Sequence, residues 1–211
     1  MSRIARLATA VRRYSRSRGF GIHSPFAFHY VREVLCQREA YYAYADIAER
    51  WSGAASTSAM SRREARLLFR VACECNPAVA IYLNAATPRH FIPLLLSHSR
   101  LTVCHRTPDV RVQPSSRLKE LPPDAQFVVE GASLAVADDV RSAADAELLR
   151  AVIASGGVVV LRNLHRRRHS TGSLYHELKA EMQHGMTFTD GCTAVIVARA
   201  HLPRQDFSIR L

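Results

Sequence analysis

At 211 residues the chain has enough length for one sizeable core, too little for two ordinary domains, and room for a small helical extension. Its 48% hydrophobic and 22% charged content excludes wholesale disorder, and no apolar run approaches the roughly 20 residues a membrane span needs. The formal charge of +11 limits the partners more than the fold.

The charge is concentrated at the start. Seven arginines, Arg3 to Arg32, precede the first acid, Glu33. Ile4, Leu7, Val11 and Tyr14 recur between them at helical spacing, which predicts a basic amphipathic helix. A transit peptide, a membrane- or nucleic-acid-binding arm, and a first helix with its arginines in solvent all share this pattern. Beyond the bend at Ser24 and Pro25, the spacing predicts a helix over Ala27 to Cys36. The dense tyrosines 41, 42 and 44 precede another helix through Ile47 and Trp51. Gly53 to Ser61 reads as a linker. Arg62 to Cys75 reads as a helix stopped by Asn76 and Pro77.

The rhythm then changes to short apolar runs alternating with helical stretches. Strands are predicted at Ala78–Leu83, Leu101–Cys104, Phe127–Val129, Val158–Leu161 and Thr193–Ala198. Helices are predicted at Phe91–Ser97, Ala143–Ala154 and Leu174–Gln183. This alternation is that of an α/β fold, a mostly parallel sheet with helices on both faces. The expected organisation is a helical extension over 1–60 and a Rossmann-like domain over 61–211. The five cysteines (36, 73, 75, 104 and 192) contain no CxxC pair, so neither a disulfide framework nor a metal site is expected, and the expected setting is cytoplasmic. A second basic cluster, Arg162 with His165 to His169, is either a phosphate grip or a solvated loop.

Ligands of such sheets bind beyond the carboxyl ends of the strands. The loop after the first strand, Asn84 to Arg89, contains no glycine. The second strand ends in His105 and Arg106, where an acid commonly holds a ribose. The sheet has the address of a cofactor site without its usual contents.

The run GFGIHSPFAFHYVREVL (Gly19–Leu35), then YYAY (Tyr41–Tyr44), RLLFR (Arg66–Arg70), GMTFTD (Gly185–Asp190) and QDFSIRL (Gln205–Leu211) resembles bacterial class I S-adenosylmethionine-dependent methyltransferases of the Bacteroidetes type. The resemblance spans nearly the whole chain and implies a Rossmann-like sheet, S-adenosylmethionine as cofactor and transfer of a methyl group to an acceptor. By motif position it assigns the cofactor to Asn84, Ala85, His105, Glu130 and Gly131. Glu130, expected at a strand's carboxyl end, is a candidate acid or base or a solvent-facing carboxylate in a turn, and His165 is a general base or a loop histidine. The chain departs from the family where the chemistry belongs. Tyr82 stands for an acid, Asn84 and Pro88 for loop glycines, His105 for the ribose carboxylate, and Arg162 for an acid after the fifth strand. A charge-assisted bond of that kind contributes roughly 1.5–3 kcal/mol, so these changes predict weakened cofactor binding.

Three readings follow: a methyltransferase with an altered site, a methyltransferase-like protein that binds a partner instead of catalysing, and a basic module for nucleic acid or anionic membrane. An anionic ligand would suit Arg89, His105 and Arg162 if they converge at the strand ends. His23, before Ser-Pro, is expected to hold a tight bend.

Overall fold

The computed structural model describes residues 14, 17–51, 60–108, 110–113, 115–121, 132–166 and 168–211. The predicted amphipathic helix before Tyr14, most of the Gly53–Ser61 linker and the predicted strand Phe127–Val129 lie outside them.

Eight strands form one sheet: β1 Val79–Leu83, β2 Thr102–Arg106, β3 Leu118–Glu120, β4 Ala132–Ala137, β5 Val158–Leu161, β6 Met186–Thr189, β7 Ala194–Val197 and β8 Gln205–Ser208. Their spatial order is β3-β2-β1-β4-β5-β7-β6-β8. β7 runs antiparallel to β5 and β6, and every other pairing is parallel. All strands but β7 therefore end at one edge.

The helices are α1 Pro25–His29, continued by a π-helical turn Tyr30–Leu35, then α2 Tyr44–Trp51, α3 Arg62–Cys75, α4 Ile92–Ser97, α5 Ala143–Ala154 and α6 Thr171–Glu181. Ser24, not His23, caps α1 by accepting from the Ala27 amide. Ser61 and Glu64 close a capping box at the start of α3, and Asn76 ends that helix in the left-handed conformation. Pro77 and Ala78 then lead straight into β1. α3 consequently runs back along the sheet, and its first turn stands at the edge where the strands end.

Alternation along the strands divides the core in two. Ala80, Tyr82, Val136, Val160, Phe188 and Val195 face the cluster that also contains Tyr30, Val31, Ile47, Leu68 and Phe69 of the N-terminal helices and α3. Ile81, Leu83, Ala135, Val159, Leu161 and Ile196 face Leu149 and Val152 of α5 and Leu174 and Leu178 of α6. The N-terminal helices thus share one core with the sheet.

Gly185, entering β6, has φ +97°, and a Cβ there would lie 2.6 Å from the Val197 carbonyl oxygen. Gly185→Ala is expected to destabilise the fold by about 1–3 kcal/mol through this clash and the left-handed backbone. Thermal denaturation checks it, and an unchanged midpoint would show that the turn opens freely.

Candidate functional site

β1 ends in Tyr82, Leu83 and Asn84, and the chain turns there without glycine. Asn84 takes φ +53°, in the left-handed region that asparagine tolerates better than most residues. Its backbone N–H donates to the Arg106 carbonyl at 2.7 Å. Its side-chain amide donates to the Asp139 carbonyl at 3.0 Å and to Asp145 Oδ2 at 2.9 Å. Asn84 and Ala85 are both buried. Pro88 opens a short 3₁₀ turn, Pro88–Phe91, which swings His90 back under the loop.

The strand beside β1 is Ala132–Ala137, later in the chain than the predicted Phe127–Val129. The acids at its carboxyl end are therefore Asp138 and Asp139, and not Glu130. Glu130 and Gly131 lie outside the described residues. Asp138 is almost wholly buried and its carboxylate is the hub of the strand ends. It accepts from Tyr82 Oη at 2.9 Å, from the Ala86 backbone N–H at 3.2 Å, from His90 Nδ1 and from Arg162 Nη1. His90 Nε2 is left buried without a partner among the described residues.

Burial by itself would raise the Asp138 carboxyl. The Arg162 guanidinium, then His90 and Tyr82, more than offset it and hold the group at about 2. Tyr82 is pushed well above its ordinary range, first by burial and then by the Asp138 charge.

β5 ends in Leu161 and delivers Arg162 into the same spot, with no exposed surface at all. Burial opposes its charge, but Asp138, Tyr82 and Glu64 together raise it above the ordinary arginine range. Glu64 reaches over from the first turn of α3 and accepts from Arg162 Nη2 at 3.2 Å. Asn163, at φ +60°, donates to the Asp138 carbonyl at 3.0 Å. The result is a closed chain of charge, Asp138 to Arg162 to Glu64, locked across the ends of β1, β4 and β5.

The other expected residues are dispersed. His105 is buried at the end of β2, where Nδ1 pairs with Thr107 Oγ1 at 3.0 Å and the ring lies 5.1 Å from that of Phe91. Burial lowers its pKa. Arg89 is exposed on the 3₁₀ turn, and Arg106 pairs with Asp145 at 3.0 Å. Arg162 belongs to Asp138 and Glu64, so Arg89, His105 and Arg162 do not converge on one anionic ligand. His165 is exposed, on a cavity of about 280 Å³ beyond β5 that Glu64, Asn163, Arg166, Asp190 and Cys192 also line. Tyr82 was legible as a substitute for an acid. Asp138 and His90 stand outside those expectations, although an Asp-Asp pair directly after an apolar alternation is a readable signal.

No group of three or more His, Cys, Asp or Glu among the described residues could hold a metal ion, and no helix among them is long and apolar enough to cross a membrane. No protein-family model matches the chain, and no curated protein matches it. Solved structures do. A methyltransferase from Geobacter sulfurreducens is 14% identical over 78% of this chain and 91% of its own, with a TM-score of 0.50. An SAH-bound methyltransferase from Podospora anserina is 9% identical over 76% and 89%, with a TM-score of 0.48. A protein from Corynebacterium glutamicum is 17% identical over 83% and 98%, with a TM-score of 0.46. The architecture is that of a Rossmann-like methyltransferase sheet, mostly parallel with helices on both faces.

Proposed function

We propose that this chain is a binding protein built on a methyltransferase-type fold, whose methyl-donor site has become a structural ion-pair network. The observation that carries the reading is the Asp138 carboxylate seated on the Ala86 N–H of the loop after β1. In a cofactor-binding version of this sheet, that loop would offer its amides to the ligand. Here the protein supplies the acceptor itself, and Tyr82, His90 and Arg162 hold it in place. The end of β2 supports the same reading. Among the described residues it presents no carboxylate for a ribose, and His105 is already engaged with Thr107 and Phe91. The residues present do not fit S-adenosylmethionine bound in the usual way. A cytoplasmic setting goes with this reading, which the five free thiols suit.

Calorimetric titration with S-adenosylmethionine and S-adenosylhomocysteine tests it. The expected result is no binding below about 1 mM, a ceiling of about 4 kcal/mol of affinity. Micromolar binding would overturn the reading and return the protein to methyl transfer, with the acceptor sought by screening.

A further inference from the structure

A second cleft, of about 590 Å³, lies between the N-terminal segment, α3 and the stretch after β8. Its size is in the range of small-molecule sites. Six arginines among the described residues line it: Arg38, Arg62, Arg63, Arg66, Arg70 and Arg210. Among the described residues no Asp or Glu lines it, and none forms an ion pair with any of the six.

Three of these residues, Arg62, Arg66 and Arg70, recur every four residues along one face of α3. Like charges at that spacing repel, and cations in the first turn oppose the helix dipole. Arg63 shows the crowding: its pKa is lowered first by burial and next by Arg210. The fold holds the charges in place all the same. Arg66 stacks on the Tyr44 ring at 4.6 Å, and Arg70 Nη1 donates to Tyr44 Oη at 2.7 Å. Arg66 Nε is buried with no hydrogen-bond partner among the described residues. The Arg210 carbonyl accepts from Ser17, Cys36 and Arg63, which fixes the backbone that carries the sixth guanidinium. Because Arg210 follows the end of β8 and Arg62 opens α3, the cleft sits at the carboxyl edge of the sheet. It shares Arg63 with the smaller cavity near His165.

We propose that this arginine cleft binds a compact anion carrying two or more phosphate groups. A single phosphate carries about two negative charges and would leave most of six guanidiniums uncompensated. An oligophosphate matches the charge and the volume, and arginine forks suit its oxygens. The proposal stands apart from the question of the methyl donor, which carries no phosphate.

The test is calorimetry on the full chain at fixed ionic strength with inorganic tripolyphosphate, ATP, orthophosphate and a single-stranded oligonucleotide. Tripolyphosphate is expected to bind in the micromolar range, with orthophosphate at least about tenfold weaker. Equal affinity for ATP and tripolyphosphate would assign an inorganic oligophosphate, and tighter ATP would assign a nucleotide; both uphold the site. Arg62→Gln/Arg210→Gln, at exposed positions, is expected to weaken tripolyphosphate at least about tenfold, and Arg38→Glu to do the same from another wall of the cleft. Arg204→Gln, elsewhere on the surface, should leave it unchanged. Far-UV circular dichroism and melting temperature report whether each variant folds. No tripolyphosphate binding at millimolar concentration, undiminished binding by both folded cleft variants, or orthophosphate as tight as tripolyphosphate overturns the proposal. Binding of the oligonucleotide alone also overturns it and marks a nucleic-acid surface instead.

Discussion

Asp138→Asn is expected to lower stability by about 3–5 kcal/mol, because it strips the charge partner from an arginine with no exposed surface. In a chain of this length that corresponds to a fall of roughly 10 °C in the melting midpoint. Asparagine keeps the shape and can still accept from Tyr82, so the loss isolates the charge. Glu64 remains on Arg162 Nη2, but it is a partly exposed partner and cannot replace the buried carboxylate. The double variant Asp138→Leu/Arg162→Leu removes both charges and is expected to recover part of the loss, since two apolar groups need no ionic partner. A midpoint shift under about 2 °C for Asp138→Asn would mean that the pair contributes nothing to folding.

The same carboxylate predicts the acid limb of stability. Its folded pKa, about 2, lies below the ordinary 3.8. A depressed carboxyl contributes stability that is fully present above the unfolded pKa and is lost as pH falls through the folded one. About 2 kcal/mol is therefore expected to disappear between roughly pH 4 and pH 2. In Asp138→Asn that component should be missing from the denaturation profile, while the rest of the acid transition persists.

Much of this architecture could be read locally. Arg62–Cys75 and Ala143–Ala154 carry their own caps, Ser61 with Glu64 and Ser142, and both helices lie where periodicity puts them. Val158–Leu161 is a continuous apolar run of three valines and a leucine, the signature of a buried strand, and it is one. β4, Ala132–Ala137, has alanine at three of its six positions, a weaker apolar signal than the Phe-Val-Val run before it. β3, β6 and β8 are three or four residues each and alternate too briefly to stand out.

The ion-pair network at the strand ends is written over longer distances. Asp138 meets Tyr82 across 56 residues and Arg162 meets Glu64 across 98. No local pattern encodes such pairs. An arginine where an acid belonged looked like an empty position in search of an anion, yet the anion was a neighbouring strand's own side chain. The arginine cleft is the converse case. The spacing of Arg62, Arg66 and Arg70 was present in the sequence, but only the fold sets Arg38 and Arg210 opposite them.

Arg70 joins that cleft to the fold, and its replacement carries the second large effect. It is buried, and Nε donates to the Val34 carbonyl at 2.5 Å, Nη2 to the Leu35 carbonyl at 2.8 Å and Nη1 to Tyr44 Oη at 2.7 Å. Val34 and Leu35 close the π-helical turn, whose last carbonyls have no partner within the turn and carry the negative end of its dipole. One guanidinium on α3 thus caps the turn that follows α1 and holds α2 through Tyr44. Arg70→Met fills the space but leaves three buried acceptors without a donor, at an expected cost of about 2–4 kcal/mol. The loss should be local first: amide exchange in Tyr30–Leu35 and Tyr44–Trp51 should quicken well before that in β1, β4 and β5. Arg70→Lys keeps the charge on a single ammonium, which cannot reach three acceptors spread across a planar fork, and should restore less than half of the difference. Full rescue by lysine would show that charge alone holds the N-terminal helices to α3, and the fork would lose its role.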